Sequence, residues 1–134
     1  MHEFGKAKIT VTGDRLTIVT WGAMVERCEL AAAQSGHSVE VIDLRTLMPW
    51  DQETVLSSVK KTTRCLVVHE DNGTAGFGAE ILSVVGEQCF TDLDAPISRL
   101  TMPDIPSPHN PVLLNAAVPS VNDIAAKIDF LIGY

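Results

Sequence analysis

The sequence is poor in aromatic residues, in cysteine and in long apolar runs. Only 5% of its 134 residues are aromatic, and three are cysteine. No apolar run approaches the roughly 18 residues that a membrane-spanning helix needs, which argues against a membrane partner. The odd number of cysteines and the lack of any C-x-x-C spacing argue against a disulfide framework. Because residues 1–6 contain no apolar signal segment, we expect buried free thiols and a cytoplasmic location.

Positive charge is also scarce. Ten Lys and Arg residues face seventeen Asp and Glu residues, which gives a net charge of −7. The basic residues are scattered, and Lys60, Lys61 and Arg64 form the one close group. A nucleic-acid-binding surface needs a concentrated positive patch that displaces counterions from phosphates, so nucleic acid is excluded as a partner.

Hydrophobic patterning divides the chain into alternating strands and helices within one domain, residues 1–134. Predicted strands cover 8–11, 16–21, 39–44, 65–69 and 95–100, by alternation or by short runs of β-branched residues. Apolar residues at helical spacing predict helices that begin near Met24, Asp51, Phe77 and Ser120. A proline-rich stretch, 103–111, cannot form a regular helix or a central strand. The order β-β-α-β-α-β-α-β-loop-α predicts an α/β fold with a mostly parallel sheet and helices on both faces.

Two strand ends are candidate sites, because open α/β sheets bind ligands beyond the carboxyl ends of their strands. One is Trp21-Gly22, where a strand passes directly into a helix. Its single glycine favours close packing between helix and strand over an anion site, since no Lys or Ser/Thr accompanies it. The other is His69-Glu70, which begins a polar strand end. Such a pair could do acid–base work, but it is more often a structural or interface element.

The motifs of self-sufficient catalysis do not fit this sequence. The glycines of the turn 73–78 have neither G-x-G-x-x-G spacing nor a following G-K-[ST]. His69-Glu70 lacks the second histidine of a metalloprotease helix, since position 73 is glycine. No serine stands in a G-x-S-x-G elbow. The residues therefore predict no catalytic, cofactor-binding or metal site, and favour a module that contributes an interface.

Several motifs nevertheless combine into a specific signature. They are Asp43-Leu44-Arg45-Thr46, Pro49-Trp50-Asp51, His69-Glu70 and Ala95-Pro96-Ile97-Ser98-Arg99. With them the chain resembles the C-terminal domain of the transketolase superfamily. It is most similar to the end of the β subunit of thiamine-diphosphate-dependent 2-oxoacid dehydrogenases. The branched-chain members, which act on 2-oxoisovalerate, are nearest, ahead of the pyruvate and acetoin enzymes.

The resemblance implies a three-layer α/β/α fold. Its five-stranded sheet would have the order 1-3-2-4-5, with the first strand antiparallel to the rest. That order places the ends of the second and fourth strands side by side. It would therefore bring Trp21 and Gly22 close to His69 and Glu70, as structural or interface residues.

The resemblance also implies a role within a larger enzyme. The parent would decarboxylate a branched-chain 2-oxoacid and pass the acyl group to a lipoyl arm. Thiamine diphosphate and Mg would lie between the α subunit and the N-terminal domain of the β subunit, so we expect neither in this chain. Implied partners are a second β subunit, an α subunit or fused α part, and the peripheral subunit-binding domain of the acyltransferase component.

The chain end is a candidate for that last contact. The carboxylate of Tyr134 could pair with a basic partner residue, whereas the alternative is a frayed tail. Complete β subunits are far longer, so we expect a domain excised from a longer β subunit or fused polypeptide. Surface exposed by such a truncation predicts that the isolated domain self-associates.

The residues leave two other classes of protein open. One is the C-terminal part of a deoxyxylulose-phosphate synthase or a transketolase. Those proteins typically have a Glu without a preceding His at the fourth strand end, so His69-Glu70 argues against them. The other is a free-standing flavodoxin-like module that binds a small anion, although the phosphate-loop signature that it needs is absent.

Overall fold

The described part of the chain contains five strands and four helices, in the order that the patterning predicts. The computed structural model describes residues 5–72, 76–102 and 118–134. The strands are β1 (Lys8–Val11), β2 (Leu16–Thr20), β3 (Val39–Asp43), β4 (Cys65–Asn72) and β5 (Ser98–Met102). The helices are α1 (Met24–Ser35), α2 (Gln52–Thr62), α3 (Phe77–Cys89) and α4 (Val121–Ile132), and a 3-10 turn (Phe90–Asp92) follows α3.

The strands form one mixed sheet of order β1-β3-β2-β4-β5. β1 runs antiparallel to β3 at one edge, and every other neighbouring pair is parallel. The predicted order and the antiparallel first strand are therefore confirmed. Because the chain leaves β3 on one side of β2 and returns as β4 on the other, the carboxyl ends of β2 and β4 are adjacent at the point where the winding reverses.

Helices cover both faces of the sheet and give three layers. All five residues of β2 are buried, because alternate side chains point to opposite faces and each face meets a helix pair. Ile18 belongs to the core that β2 shares with α1 and α4, whereas Val19 belongs to the core shared with α2 and α3. The first core includes Met24, Cys28, Val41, Leu66, Ile124, Ile128 and Leu131, and the second includes Ile42, Val55, Val59, Val67, Ile81 and Val85.

Local signals fix the helix ends. Asp51 caps α2 by accepting a hydrogen bond from the backbone N–H of Thr54 at 3.2 Å. Ser120 and Asp123 form a reciprocal capping box that begins α4. Gly36 ends α1 in the left-handed conformation, with φ +71°. The caps at Asp51 and Ser120 confirm the predicted helix starts near these two residues.

β2 and β3 each end one residue earlier than predicted, β5 ends two residues later, and the largest differences are at the end of β4 and the start of β5. β4 continues to Asn72 rather than ending at residue 69. β5 begins at Ser98 rather than 95, because Pro96 has no N–H to donate to a ladder, and its pairing with β4 starts at the Leu66–Ser98 pair. The predicted proline-rich loop, 103–111, lies outside the described residues. None of the helices in the described ranges is long and apolar enough to cross a membrane.

Candidate functional site

The ends of β2 and β4 bring Trp21 and His69 into contact at the carboxyl edge of the sheet. Their rings stack with centroids 5.2 Å apart and planes 15° from parallel. The His69 side chain is fully buried, and Trp21 is partly buried. The structure therefore juxtaposes the two strand ends as the strand order requires.

Two further aromatic side chains complete a carboxyl-edge cluster of Trp21, Trp50, His69 and Phe77. Phe77, the first residue of α3, meets Trp21 edge-on with centroids 5.9 Å apart, and meets Trp50 edge-on at 6.4 Å. Edge-to-face pairs of this kind add roughly 0.5–1.5 kcal/mol each beyond their area burial. The cluster is thus a rigid apolar platform at the edge where α/β sheets present ligands or partners.

A cleft of about 540 Å³, the carboxyl-edge cleft, opens beside this platform. Its lining is largely apolar, and Met48 within it is 83% exposed. The lining residues are Leu47, Met48, Pro49, Trp50, Gln52, Gly76, Phe77, Ala79 and Glu80. An exposed methionine on such a surface offers an adaptable apolar contact to a partner.

The loop that carries Met48 is held at both of its ends. Before it, Arg45 takes a positive φ of 61°, while its backbone N–H donates to Oδ1 of Asp43 at 3.1 Å. After it, the buried Asp51 also accepts a hydrogen bond from the N–H of Ala7 at 2.9 Å, besides capping α2. Burial opposes ionisation of Asp51, but hydrogen bonds from Thr54 and Ala7 outweigh it and lower its pKa. One carboxylate thereby joins the incoming chain, the loop and the helix.

His69 and Glu70 do not face each other. The His69 ring is buried, whereas Glu70 is exposed, because neighbouring strand residues point to opposite sides. The ring packs against α3 at Gly78, where an added Cβ would lie 2.6 Å from Cδ2 of His69. The pair therefore places one side chain in the aromatic cluster and the other at the surface.

Gly22 has a different role from the predicted one. The interpretation as close helix–strand packing is wrong, because a Cβ at this position would meet nothing within 4 Å. Gly22 instead has φ +63°, a backbone conformation that is strained in residues with a side chain. Its carbonyl accepts a hydrogen bond from the N–H of Val25 at 3.3 Å. It therefore turns the chain from β2 into α1.

Among the residues that the structure describes, metal and cofactor ligands do not converge at this edge. In the described ranges no group of three His, Cys, Asp or Glu side chains is placed to hold a metal ion. The diphosphate of a thiamine cofactor also needs Mg and several hydrogen-bond donors, whereas the cleft lining is largely apolar. These residues do not fit thiamine diphosphate, and the geometry supports apolar contact instead.

A second polar feature, which the sequence reasoning missed, lies at the opposite end of β3. Glu40 is only 1% exposed, and its Oε1 accepts from Nζ of Lys61 at 2.7 Å and from the N–H of Gly13 at 3.3 Å. Its Oε2 accepts from the Ser58 hydroxyl at 2.6 Å. Burial opposes ionisation, but the hydrogen bonds from Lys61, Ser58 and Gly13 outweigh it, so the Glu40 pKa lies below its ordinary value.

Exposed aromatic side chains also gather where α4 ends. This C-terminal surface consists of Phe90, Phe130 and Tyr134, which are 77%, 58% and 67% exposed. The rings of Phe130 and Tyr134 meet at 6.2 Å, and Nζ of Lys127 lies 5.0 Å from the Phe130 centroid. Beside them is a groove of about 510 Å³ that Phe90, Leu93, Pro96, Ile97 and Tyr134 help to line. The last turn of α4 is held to the rest of the chain, since Nε of Arg64 donates to the Leu131 carbonyl at 3.0 Å.

Comparison with known proteins decides between the fold families. The family model described as "Transketolase, C-terminal domain" matches residues 5–124. The chain belongs to the transketolase C-terminal domain family. Among curated proteins, it is 51% identical over 104 residues to the 2-oxoisovalerate dehydrogenase subunit beta of Pseudomonas aeruginosa, covering 78% of this chain and 30% of that protein.

Two further matches define the breadth of the likeness. The pyruvate dehydrogenase E1 component subunit beta of Staphylococcus aureus is 40% identical over 128 residues, covering 93% of this chain and 39% of that protein. A solved structure titled "Split gene transketolase, inactive beta4 tetramer" matches with a TM-score of 0.77 at 23% identity, over 98% of this chain and 44% of that one. The first confirms the likeness to β subunits, and the second confirms the fold. The chain spans roughly a third of these curated relatives.

Proposed function

We propose that this chain is the C-terminal domain of the β subunit of a branched-chain 2-oxoacid dehydrogenase, and that it serves assembly and docking. The observation that most strongly supports this assignment is the 51% identity to the P. aeruginosa 2-oxoisovalerate dehydrogenase β subunit over 78% of this chain. The parent enzyme would decarboxylate the 2-oxoacid oxidatively and transfer the acyl group to a lipoyl arm. Thiamine diphosphate and Mg would be held by other parts of that enzyme.

The carboxyl-edge cleft is the proposed subunit contact. It joins a rigid aromatic platform to the exposed side chain of Met48, and apolar groups dominate its lining. Interface centres are enriched in aromatic residues and methionine, and they are depleted in charge. A second β subunit or the α subunit would cover this surface in the parent enzyme.

The C-terminal surface is the proposed docking site for the acyltransferase component. Tyr134 presents an exposed ring beside the groove, and Asp94 adds an acidic group to the lining. This combination of aromatic and acidic groups suits a basic partner, whose cations would meet the Asp94 carboxylate at the rim. A peripheral subunit-binding domain of positive charge is the proposed occupant.

Grafting tests the assignment. The corresponding C-terminal part of the P. aeruginosa 2-oxoisovalerate dehydrogenase β subunit is replaced by this chain, and the chimaera is coexpressed with its α subunit. We expect an assembled complex that oxidises 2-oxoisovalerate. A chimaera whose grafted domain is folded by circular dichroism but which fails to assemble would contradict the proposal.

A pyruvate dehydrogenase β subunit is the second candidate, because the S. aureus match covers 93% of this chain. The same graft into the S. aureus β subunit distinguishes the two. If the P. aeruginosa chimaera assembles with its α subunit at a lower protein concentration than the S. aureus chimaera does with its own, the first candidate is supported. If the S. aureus chimaera assembles at the lower concentration, the second is supported.

A further inference from the structure

The Glu40 carboxylate is buried within the sheet and depends on one cation. It lies on β3 between β1 and β2, with 1% of its surface exposed. Among the hydrogen bonds of the described residues, Lys61 supplies its only bond from a charged group, Nζ to Oε1 at 2.7 Å. Its other donors, Ser58 and the backbone of Gly13, are neutral. A buried carboxylate without its cation is strongly destabilising.

The effect of that cation extends beyond the pair. The Ser58 hydroxyl that bonds Glu40 also lies 2.7 Å from the hydroxyl of Thr17, which in turn lies 2.7 Å from that of Thr62. This chain of buried hydroxyls joins α2 to the central strand β2. A change in the charge of Glu40 therefore reaches the centre of the sheet.

Although Glu40 is buried, the amine that neutralises it is at the surface. The Lys61 side chain is 48% exposed. It lines an open depression of about 370 Å³ together with Lys6, Glu53, Ser57 and others. Lys6 and Glu53 are the other charged groups that face this depression beside Glu40 and Lys61. A soluble reagent can thus reach Nζ without unfolding the chain.

We propose that Lys61 is an acylation-sensitive site, at which an acyl-CoA thioester removes the cation of Glu40 and thereby destabilises the fold. The ammonium first gives a proton to solvent, and the neutral amine attacks the thioester carbonyl carbon. The new N–C bond forms as the C–S bond breaks, the nitrogen loses a second proton, and the thiolate leaves with the electron pair and takes up a proton in turn. The amide product keeps one N–H donor but no charge, and no oxidant is needed.

The neighbouring Lys60 is a matched control. It is an exposed residue of the same helix turn, and no ion pair of the described residues includes it. Lys61 need not react faster than Lys60. What distinguishes Lys61 is the consequence of losing its charge.

Acetyl-lysine placed genetically at position 61 or at position 60 of the full chain tests this consequence. We expect the melting temperature to fall by about 5 °C or more for position 61, and by less than about 2 °C for position 60. In a Glu40→Gln background, the difference between the two positions should close, because no buried charge remains. Incubation of the folded chain with acetyl-CoA, followed by peptide mass spectrometry, should show acetylation of Lys61.

Three results would overturn the proposal. They are equal melting temperatures for the two acetylated proteins, a difference that persists with Glu40→Gln, and a folded chain whose Lys61 stays unmodified while Lys60 is acetylated. If the protein with acetyl-lysine at 61 does not fold alone, recovery of its fold by Glu40→Gln supports the proposal, and failure to recover contradicts it.

Discussion

The imidazole of His69 lies face to face with the indole of Trp21, 5.2 Å away between centroids, at the point where the winding of the sheet reverses. The position is one at which α/β proteins commonly bind ligands. Here aromatic rings occupy it, and Phe77 seals one side edge-on. The edge has thereby become a packed surface suited to protein contacts.

Gly78 should be essential to this packing. A Cβ there would press against the buried His69 ring, 2.6 Å from Cδ2, and would lie 3.4 Å from Cγ1 of Val67. We expect Gly78→Ala to destabilise the chain by about 1–3 kcal/mol, because the ring must shift within a packed core. Urea unfolding followed by tryptophan fluorescence measures the change.

Gly86 provides the control on the same helix. A Cβ there would meet nothing within 4 Å, so Gly86→Ala should stabilise α3 by roughly 0.5–1 kcal/mol through helix propensity. Equal effects of the two substitutions would show that His69 does not require the space at Gly78.

Acid should weaken the fold partly through Glu40. Burial opposes its ionisation, but bonds from Lys61, Ser58 and Gly13 lower its pKa below the ordinary 4.5. A lowered folded-state pKa contributes stability that is complete above the unfolded value and is lost as pH falls through the folded value. We expect Glu40→Gln to cost about 1–3 kcal/mol at pH 7, since solvent screens the half-exposed Lys61.

The dependence on pH distinguishes this origin from simple packing loss. The free-energy difference between the parent chain and Glu40→Gln should narrow as pH falls from 7 toward 3, in urea unfolding at each pH. The pKa of Asp51 is also lowered, so the free-energy difference between the parent chain and Asp51→Asn should likewise narrow as pH falls. If the free energy of unfolding depends on pH in the same way for the parent chain and for Glu40→Gln, the electrostatic explanation is refuted.

Local patterns were sufficient for most of the fold. The predicted strand at 65–69 forms the start of β4, where Cys65 to Val68 are buried, and the helix predicted to begin near Ser120 is α4. By contrast, the contact of Trp21 with His69 followed from the strand order that the family resemblance implied. No local pattern states which strands are neighbours.

Glu40 shows why the rest of the structure could not be predicted from the sequence. A charged residue between two valines, as Glu40 is in the strand 39–43, has the pattern of a solvent-facing position. Its burial depends on Lys61, which is 21 residues away on α2, and on Gly13, whose lack of a side chain lets β3 pass close by. Gly22 was misread for a related reason, because backbone φ is not visible in a sequence.

The three cysteines should be protected in the folded chain. All are free and buried, and burial raises the pKa of Cys28 and of Cys65 to about 12. Burial also raises the pKa of Cys89. Since the thiolate is the reactive form, labelling by Ellman's reagent at pH 8 should be at least about 100-fold slower in the folded than in the urea-unfolded chain. Rapid labelling of one thiol without urea would reveal local opening near that residue.

Met48 tests the proposed assembly surface. It is 83% exposed beside the aromatic cluster, and an aspartate there would have to lose its hydration in an apolar contact. We expect Met48→Asp to weaken self-association of the chain at least about tenfold in sedimentation equilibrium, with an unchanged melting temperature. Leu30→Asp is the control, because Leu30 is 53% exposed on α1, outside the cleft lining, and should alter association less than about twofold. If the two substitutions act equally, the contact between copies lies elsewhere than the carboxyl-edge cleft.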